Sequence, residues 1–315
     1  MPINIICASD NPFAPYCGVM LTSLFENNRN NNLAVYVLCD KSFSSGNRKK
    51  YQRLGKRYGQ TVHIVPVDNS LTQNFPISQT LNHITTPTYY RLLACRLLPP
   101  DVDKAIYLDS DAIVTGSLEP MWSINMDGKA IAAVPDGWIT YENNTYDHLD
   151  YDHRHGYFNA GILLINLHHW RQHNLEARMI DYIHQHRDNL PYNDQDVLNG
   201  VMHDNKLWLP ERYNLQTKNL LKYYWECLPE TYHQTLLREL PQAVIIHYCG
   251  KTKPWHYRYS GGAFHTLWEN YRRLSPYPHC RIRRPLFKYL KRTVKDRLFP
   301  LRRQKRIAAI WQMTP

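Results

Sequence analysis

The sequence has no stretch of about 18 consecutive apolar residues, so it offers no helix that would span a membrane. Its seven cysteines (Cys7, Cys17, Cys39, Cys95, Cys227, Cys249 and Cys280) never form a C-x-x-C pair, which removes a zinc knuckle or a dithiol redox motif. They are odd in number and scattered, and several lie in apolar runs, so buried, reduced thiols of a cytosolic protein are expected. The start, "MPINIICASDN", has no basic segment before a short apolar run that ends at Asp10, and no secretory leader is expected. The first strand-to-helix turn, "ASDNPFAPYCG", lacks G-x-G-x-x-G, which argues against a dinucleotide-binding oxidoreductase. No internal repeat or low-complexity block interrupts the chain before about residue 275.

What is present is enough for one large core, since 43% of the 315 residues are hydrophobic. The 23 Tyr and 8 Trp supply flat, hydrogen-bonding surfaces that sugar- and nucleotide-binding proteins use, as do ordinary cores. The net charge of +11 is uneven. Residues 281–315 hold twelve basic residues against Asp296 alone, leaving 26 of each sign in residues 1–280.

Strands and helices alternate from the start. "INIICAS", "LAVYVLCD" and "TVHIVPVD" read as strands, the second of them buried, separated by a helix at "CGVMLTSLFENN" and a basic helix near Lys49–Tyr58. Such alternation predicts an α/β fold with a mostly parallel sheet. "PTYYRLLACRLLP" reads as a helix started by Pro87 and stopped by Pro99. "KAIYLDSDAIV" (104–114), "AIAAVPD" (130–136), "GILLINLHHW" (161–170) and "QAVIIHYCG" (242–250) read as strands, and "NDQDVLNGVMH" (193–203) as a helix. "SPYPHCRIRRP" marks a boundary between a body, 1–275, and a basic tail, 276–315.

Asp109 and Asp111 carry the first chemical signal. In a strand, residues i and i+2 share a face, so both carboxylates would project into one crevice at the carboxyl end of the sheet. Two like charges so close raise each other's proton affinity unless a cation neutralises them. Hard oxygen donors suit Mg²⁺ or Mn²⁺ on a diphosphate, whereas an Asp that caps a turn beside one that faces water is the plain alternative. "VIIHYCGKTKPWH" supplies an imidazole, His247, as a third ligand and Lys253 as a point charge for a phosphate. The alternatives there are a buried, satisfied histidine and a surface lysine.

Together, "AIYLDSDAIV", "YFNAGILLINL", "YNDQDVLNG" and "HYCGKTKPWH", in this order, resemble the family 8 retaining glycosyltransferases. The nearest likeness is to bacterial lipooligosaccharide α-galactosyltransferases and their lipopolysaccharide glucosyl- and galactosyltransferase relatives, from the first strand to about residue 275. The resemblance implies a GT-A-type nucleotide-diphosphosugar fold, a UDP-hexose donor and Mn²⁺ or Mg²⁺ held by Asp109, Asp111 and His247. It places Ala8 and Asp10 on the uracil, Phe13 against its ring and Ser110 within the nucleotide-sugar set. The partner of a nucleotide-bonding Asn is Pro12 here, without a side-chain donor, so neighbouring Asn11 is expected to replace it. Arg91 and Asp194 fall on sugar-hydroxyl positions, Gln195 beside the anomeric carbon, Asn159 and Asp136 on sugar- and acceptor-facing positions, and Gly250 and Lys253 on the diphosphate clamp. A strand-end turn is the plain reading of Asn159, and a helix cap that of Asp194.

For the reaction, the resemblance implies cleavage of an anomeric C–O bond while charge builds on departing UDP. Gln195 is an amide and a poor nucleophile, so front-face substitution is expected, with attack by Asp194 as the alternative. The tail mixes its basic residues with Leu286, Phe287, Leu290, Leu298, Phe299, Ile307, Ile310 and Trp311, and Pro300 would split it into two helices. That pattern predicts an interfacial segment on an anionic cytoplasmic leaflet, where a lipid-linked oligosaccharide acceptor would be made. A nucleic-acid-binding protein would account for the tail but not for the paired carboxylates or the neutral body, and no nucleic acid is expected. A non-catalytic nucleotide-binding α/β protein is the remaining alternative. Residues 70–87 and 137–156 are expected to form loops over donor and acceptor.

Overall fold

In the computed structural model, residues 2–77, 86–141, 146–256, 259 and 261–280 are described here. The basic tail from 281 onward, and with it the expected membrane segment, lies outside them, as does much of the expected 70–87 loop.

The first 67 residues form three parallel strands joined by two helices. β1 (Ile3–Ala8) leads into α1 (Ala14–Asn27), β2 (Leu33–Asp40) into α2 (Ser45–Arg57), and β3 (Thr61–Val67) closes the unit. Asp10 Oδ1 accepts the Phe13 amide at 2.8 Å, which turns the chain out of β1 and starts α1 earlier than its apolar spacing suggests. The Ser44 hydroxyl caps α2 by accepting from the Asn47 amide.

Four further strands complete a seven-stranded sheet. β4 (Lys104–Leu108), β6 (Ile131–Pro135), β7 (Phe158–Asn166) and β8 (Lys206–Trp208) give the order β3-β2-β1-β4-β7-β6-β8. β7 runs antiparallel to both its neighbours and every other pairing is parallel. Residues alternate between the two faces: Ile6, Tyr36, Leu38 and Tyr107 join one apolar layer, while Ile5, Cys7, Val35, Val37 and Leu108 join the other. Helices therefore cover both faces, as a central parallel sheet requires. The cysteines are free thiols.

The run 104–114 is not one strand. β4 ends at Leu108, Asp109 hands its amide to Gly161 O at 2.8 Å, and a turn through Ser110 leads into β5 (Ala112–Val114). β5 leaves the main sheet and pairs antiparallel with β10 (Ile245–His247), which pairs parallel with β9 (Leu215–Gln216). The turn, not strand alternation, brings the carboxylates together, and it lets each meet a different cation. The run 161–170 is likewise shorter as a strand, because the Asn166 side chain accepts the His169 amide at 2.9 Å and starts the helix Leu167–Gln172. The segment 87–99 is a 3-10 helix over Thr86–Leu93 followed by one α turn, and 242–250 is extended only over Ile245–His247.

The helix Ala263–Leu274 joins the body through Tyr271, whose hydroxyl receives Asn27 Nδ2 at 2.7 Å. Beyond it, Tyr277 is buried over Gly18 and Tyr51 and donates to Asn47 Oδ1 at 2.9 Å. Packing against the body thus continues to Tyr277.

Candidate active site

At the carboxyl ends of β1, β4 and β6 the sheet opens into a cleft of about 750 Å³. Open α/β sheets place ligands there. Of the residues singled out in the sequence, Ala8, Asp10, Phe13, Arg91, Asp109, Ser110, Asp111, Asp136, Asn159, Asp194, Gln195, His247, Gly250 and Lys253 all line it. Asn11 does not. Its amide accepts from Ser44 N at 2.9 Å and Asn47 Nδ2 at 3.1 Å and donates to Ser42 O at 2.9 Å, so it braces the next loop.

Asp109, Asp111 and His247 each bring one ligand atom within 4.8 Å of the others. His247 Nε2 stands 3.3 Å from Asp111 Oδ1 and 3.9 Å from Asp109 Oδ2. Two carboxylate oxygens and one imidazole nitrogen suit Mn²⁺ or Mg²⁺ with positions left open. Gly161 keeps that space clear, because a Cβ there would lie 2.2 Å from His247 Cε1 and 2.8 Å from Asp109 Oδ2. Lys253 Nζ donates to Asp111 Oδ2 and, at 3.0 Å, to Tyr248 O. Burial alone would raise the Asp111 carboxyl, but Lys253 and His247 outweigh it and hold the group well below the usual carboxylate range.

A second ion-pair system crosses the floor. The buried Arg91 reaches Asp109 Oδ1 through Nη2 at 2.9 Å and Asp194 Oδ2 through Nε at 3.0 Å, with its guanidinium 4.1 Å from the centre of the Tyr107 ring. Burial pushes the Asp194 carboxyl up to about 6, and Arg91 and the Thr88 hydroxyl act against that rise. Beside it, Gln195 Oε1 accepts from Ala160 N at 2.9 Å and Asn159 Nδ2 at 3.2 Å.

Sequence reasoning missed several lining residues. Lys218 Nζ lies 2.7 Å from Asp136 Oδ1, and that carboxylate is itself 1% exposed. Asp136 Oδ2 accepts from Asn159 Nδ2 at 3.1 Å and Gln195 Nε2 at 3.4 Å, so it holds neighbouring side chains as well as facing the cleft. Trp138 packs edge-on to Tyr224 with centroids 4.7 Å apart and lies 5.5 Å from Tyr223, which is 66% exposed. Lys218, Trp138, Tyr223 and Tyr224 sit on helices of four or five residues, too short for a periodic signal to mark them.

On the opposite side Phe13 stands edge-on to Tyr16 and Trp255, at 5.7 and 6.4 Å between centroids. Ser110 Oγ donates to Ala8 O at 2.9 Å and ties the carboxylate turn to the end of β1. Gly250 has φ +93, a conformation that glycine adopts without steric cost, where the chain leaves β10 for Lys253.

A family model described as glycosyl transferase family 8 matches residues 4–258. General stress protein A of Bacillus subtilis is 30% identical over 264 residues, which cover 81% of this chain and 87% of the relative. The lipopolysaccharide 1,2-glucosyltransferase of Escherichia coli K12 is 27% identical over 257 residues, covering 81% and 73%. The lipopolysaccharide 1,3-galactosyltransferase of Salmonella typhimurium is 26% identical over 302 residues, covering 94% and 85%. Among solved structures, the galactosyltransferase LgtC with donor and acceptor sugar analogs superposes at a TM-score of 0.78 with 25% identity, covering 87% of this chain and 96% of that one.

Proposed function

This chain belongs to glycosyl transferase family 8, and from that premise we propose that it transfers a hexose from a UDP-sugar to a lipopolysaccharide-type saccharide, with retention of the α configuration. The observation that carries the reading is the meeting of Asp109, Asp111 and His247 beside Lys253 in the cleft. The names of the Escherichia coli and Salmonella typhimurium relatives support the acceptor class and leave galactose and glucose as candidate sugars. We favour galactose, as for the structurally similar LgtC.

A divalent ion held by the three ligands would supply Lewis-acid stabilisation of the departing diphosphate. Lys253 adds a positive charge beside that position. Arg91 and Asp194 offer donor and acceptor atoms for sugar hydroxyls. The Gln195 carbonyl oxygen already receives two donors and is held in place, which favours its role as a fixed dipole beside the anomeric carbon over one as a nucleophile. The front-face path then has a leaving phosphate oxygen take the acceptor proton, while Asp194 is the candidate nucleophile for double displacement. Trp138, Tyr224 and Leu221 give the acceptor side an apolar wall on which a sugar ring can pack.

The test is UDP release from UDP-galactose and UDP-glucose, with Mn²⁺ or with EDTA, using lactose as trial acceptor. Release from one donor that EDTA abolishes and Mn²⁺ restores is expected. A folded protein that binds no UDP would overturn the reading.

Residues 281–315 are further proposed to hold the enzyme on an anionic membrane surface facing the cytoplasm, supported by their twelve basic residues interleaved with apolar ones. Among the described residues no helix is long and apolar enough to cross a membrane. Vesicles containing phosphatidylserine should carry the full chain on flotation at low salt and leave behind a chain ending at 280. Equal flotation of both would refute this role.

A further inference from the structure

His247 is joined to the far side of the cleft by a chain of buried amides. Its Nδ1 lies 2.9 Å from Asn214 Oδ1, and Asn214 Nδ2 donates to Asn159 Oδ1 at 2.9 Å. Asn159 Nδ2 donates in turn to Asp136 Oδ2, whose other oxygen holds Lys218. Asn214 is fully buried and Asn159 is 5% exposed, so water does not compete along this path.

The direction of every bond follows from one backbone group. The Gly161 amide can only donate, and it meets Asn159 at 3.1 Å, so the Asn159 atom there is its oxygen. That oxygen must therefore receive Asn214 through its NH₂ group. The Asn214 oxygen is then the atom facing His247, and an oxygen there requires the imidazole proton on Nδ1. Nε2 is then the nitrogen turned toward Asp109 and Asp111, and it binds a cation once any proton it shares with those carboxylates is displaced.

We propose that Asn214 is a positioning residue that fixes the His247 tautomer and ring orientation, so that Nε2 is presented to a divalent cation before the cation arrives. This rests on the metal reading of the site. Outer partners of ligating histidines typically affect metal affinity by about 10- to 100-fold, and none of the sequence motifs contains this residue.

Two variants separate tautomer control from packing. Asn214→Ala removes both bonds, whereas Asn214→Asp keeps an acceptor for Nδ1–H, loses the donor to Asn159 and adds a negative charge on the Nδ1 side of the ring. In the metal-free full chain, long-range ¹H–¹⁵N spectra should show His247 protonated on Nδ1 in wild type and in Asn214→Asp, with the signal assigned by its loss in His247→Ala. Asn214→Ala should lose that single form. Mn²⁺ titration followed by the electron spin resonance of free Mn²⁺ should show affinity about 10- to 100-fold weaker in Asn214→Ala and recovered to within a few fold in Asn214→Asp. Wild-type affinity in Asn214→Ala, or a wild-type His247 with no proton on Nδ1, would overturn the proposal. So would Asn214→Asp that keeps the Nδ1–H form yet binds Mn²⁺ as weakly as Asn214→Ala. Wild type with the Nδ1–H form but no uptake of Mn²⁺ would instead remove the metal reading, and this use of Asn214 with it.

Discussion

The Asp111→Asn protein is expected to release UDP from its donor about a hundredfold to a thousandfold more slowly than wild type, the loss of about 3–4 kcal/mol of preorganised charge stabilisation. Asp111 is poised for this loss because it sits between His247 and Lys253, which keep its carboxyl ionised. An amide keeps the shape and an oxygen for Lys253, but it gives up the charge that a divalent cation needs. The substitution also leaves a buried lysine without its counter-charge, so some loss of stability is expected. Ligand response separates the two effects. Saturating Mn²⁺ with UDP at about a hundred times the dissociation constant stabilises a native state by about 2.7 kcal/mol, roughly 4 °C in melting temperature for a chain of this size. Wild type should show that rise and Asp111→Asn should not. A variant that melts like wild type with UDP and Mn²⁺ and keeps more than a tenth of the rate would remove Asp111 from the metal site.

Apolar runs made the first three strands legible: β1 and β2 are buried on both faces, β3 is a largely exposed edge strand with β-branched residues, and turn residues bound all three. The carboxylate pair was legible as chemistry but not as geometry. Nothing in "YLDSDAIV" says that the strand stops at Leu108 and restarts in another sheet, since both halves are equally apolar and the turn is set by distant partners, Gly161 and His247. The bracing of Asn11 was hidden for a similar reason: its partners Ser42, Ser44 and Asn47 come from the loop after β2 and the first turn of α2. Lys218 and Trp138 lie on helices of four or five residues and Asn214 on a one-residue link, where a residue's role depends on what the fold brings opposite it. The four ordered motifs compensated, because they mark the same cleft from different elements.

Replacing Arg91 by Met is expected to abolish measurable transfer and to destabilise the body by about 3–5 kcal/mol, the usual result of removing one partner from a buried ion pair. Arg91 lies between Asp109 and Asp194, and its side chain and that of Asp194 are each 5% exposed. Without it two carboxylates face each other across an apolar floor of Tyr107 and Ala160. Lysine is not expected to rescue the site, since a single ammonium cannot reproduce the Nε and Nη2 contacts together with the Nη1 bond to Ala160 O. The deficit should also depend on pH with a definite sign. Burial already raises the folded Asp194 carboxyl from 3.8 to about 6 against the pull of Arg91, so the variant raises it further. A carboxyl with a raised folded pKa keeps its contribution below the unfolded value and loses it as pH climbs through the folded one. The stability gap between wild type and Arg91→Met should therefore be small near pH 4 and widen up to and beyond pH 6. Urea unfolding at pH 4, 6 and 8 measures it. A gap that stays constant, or narrows as pH rises, would mean that Asp194 does not depend on Arg91 for its charge.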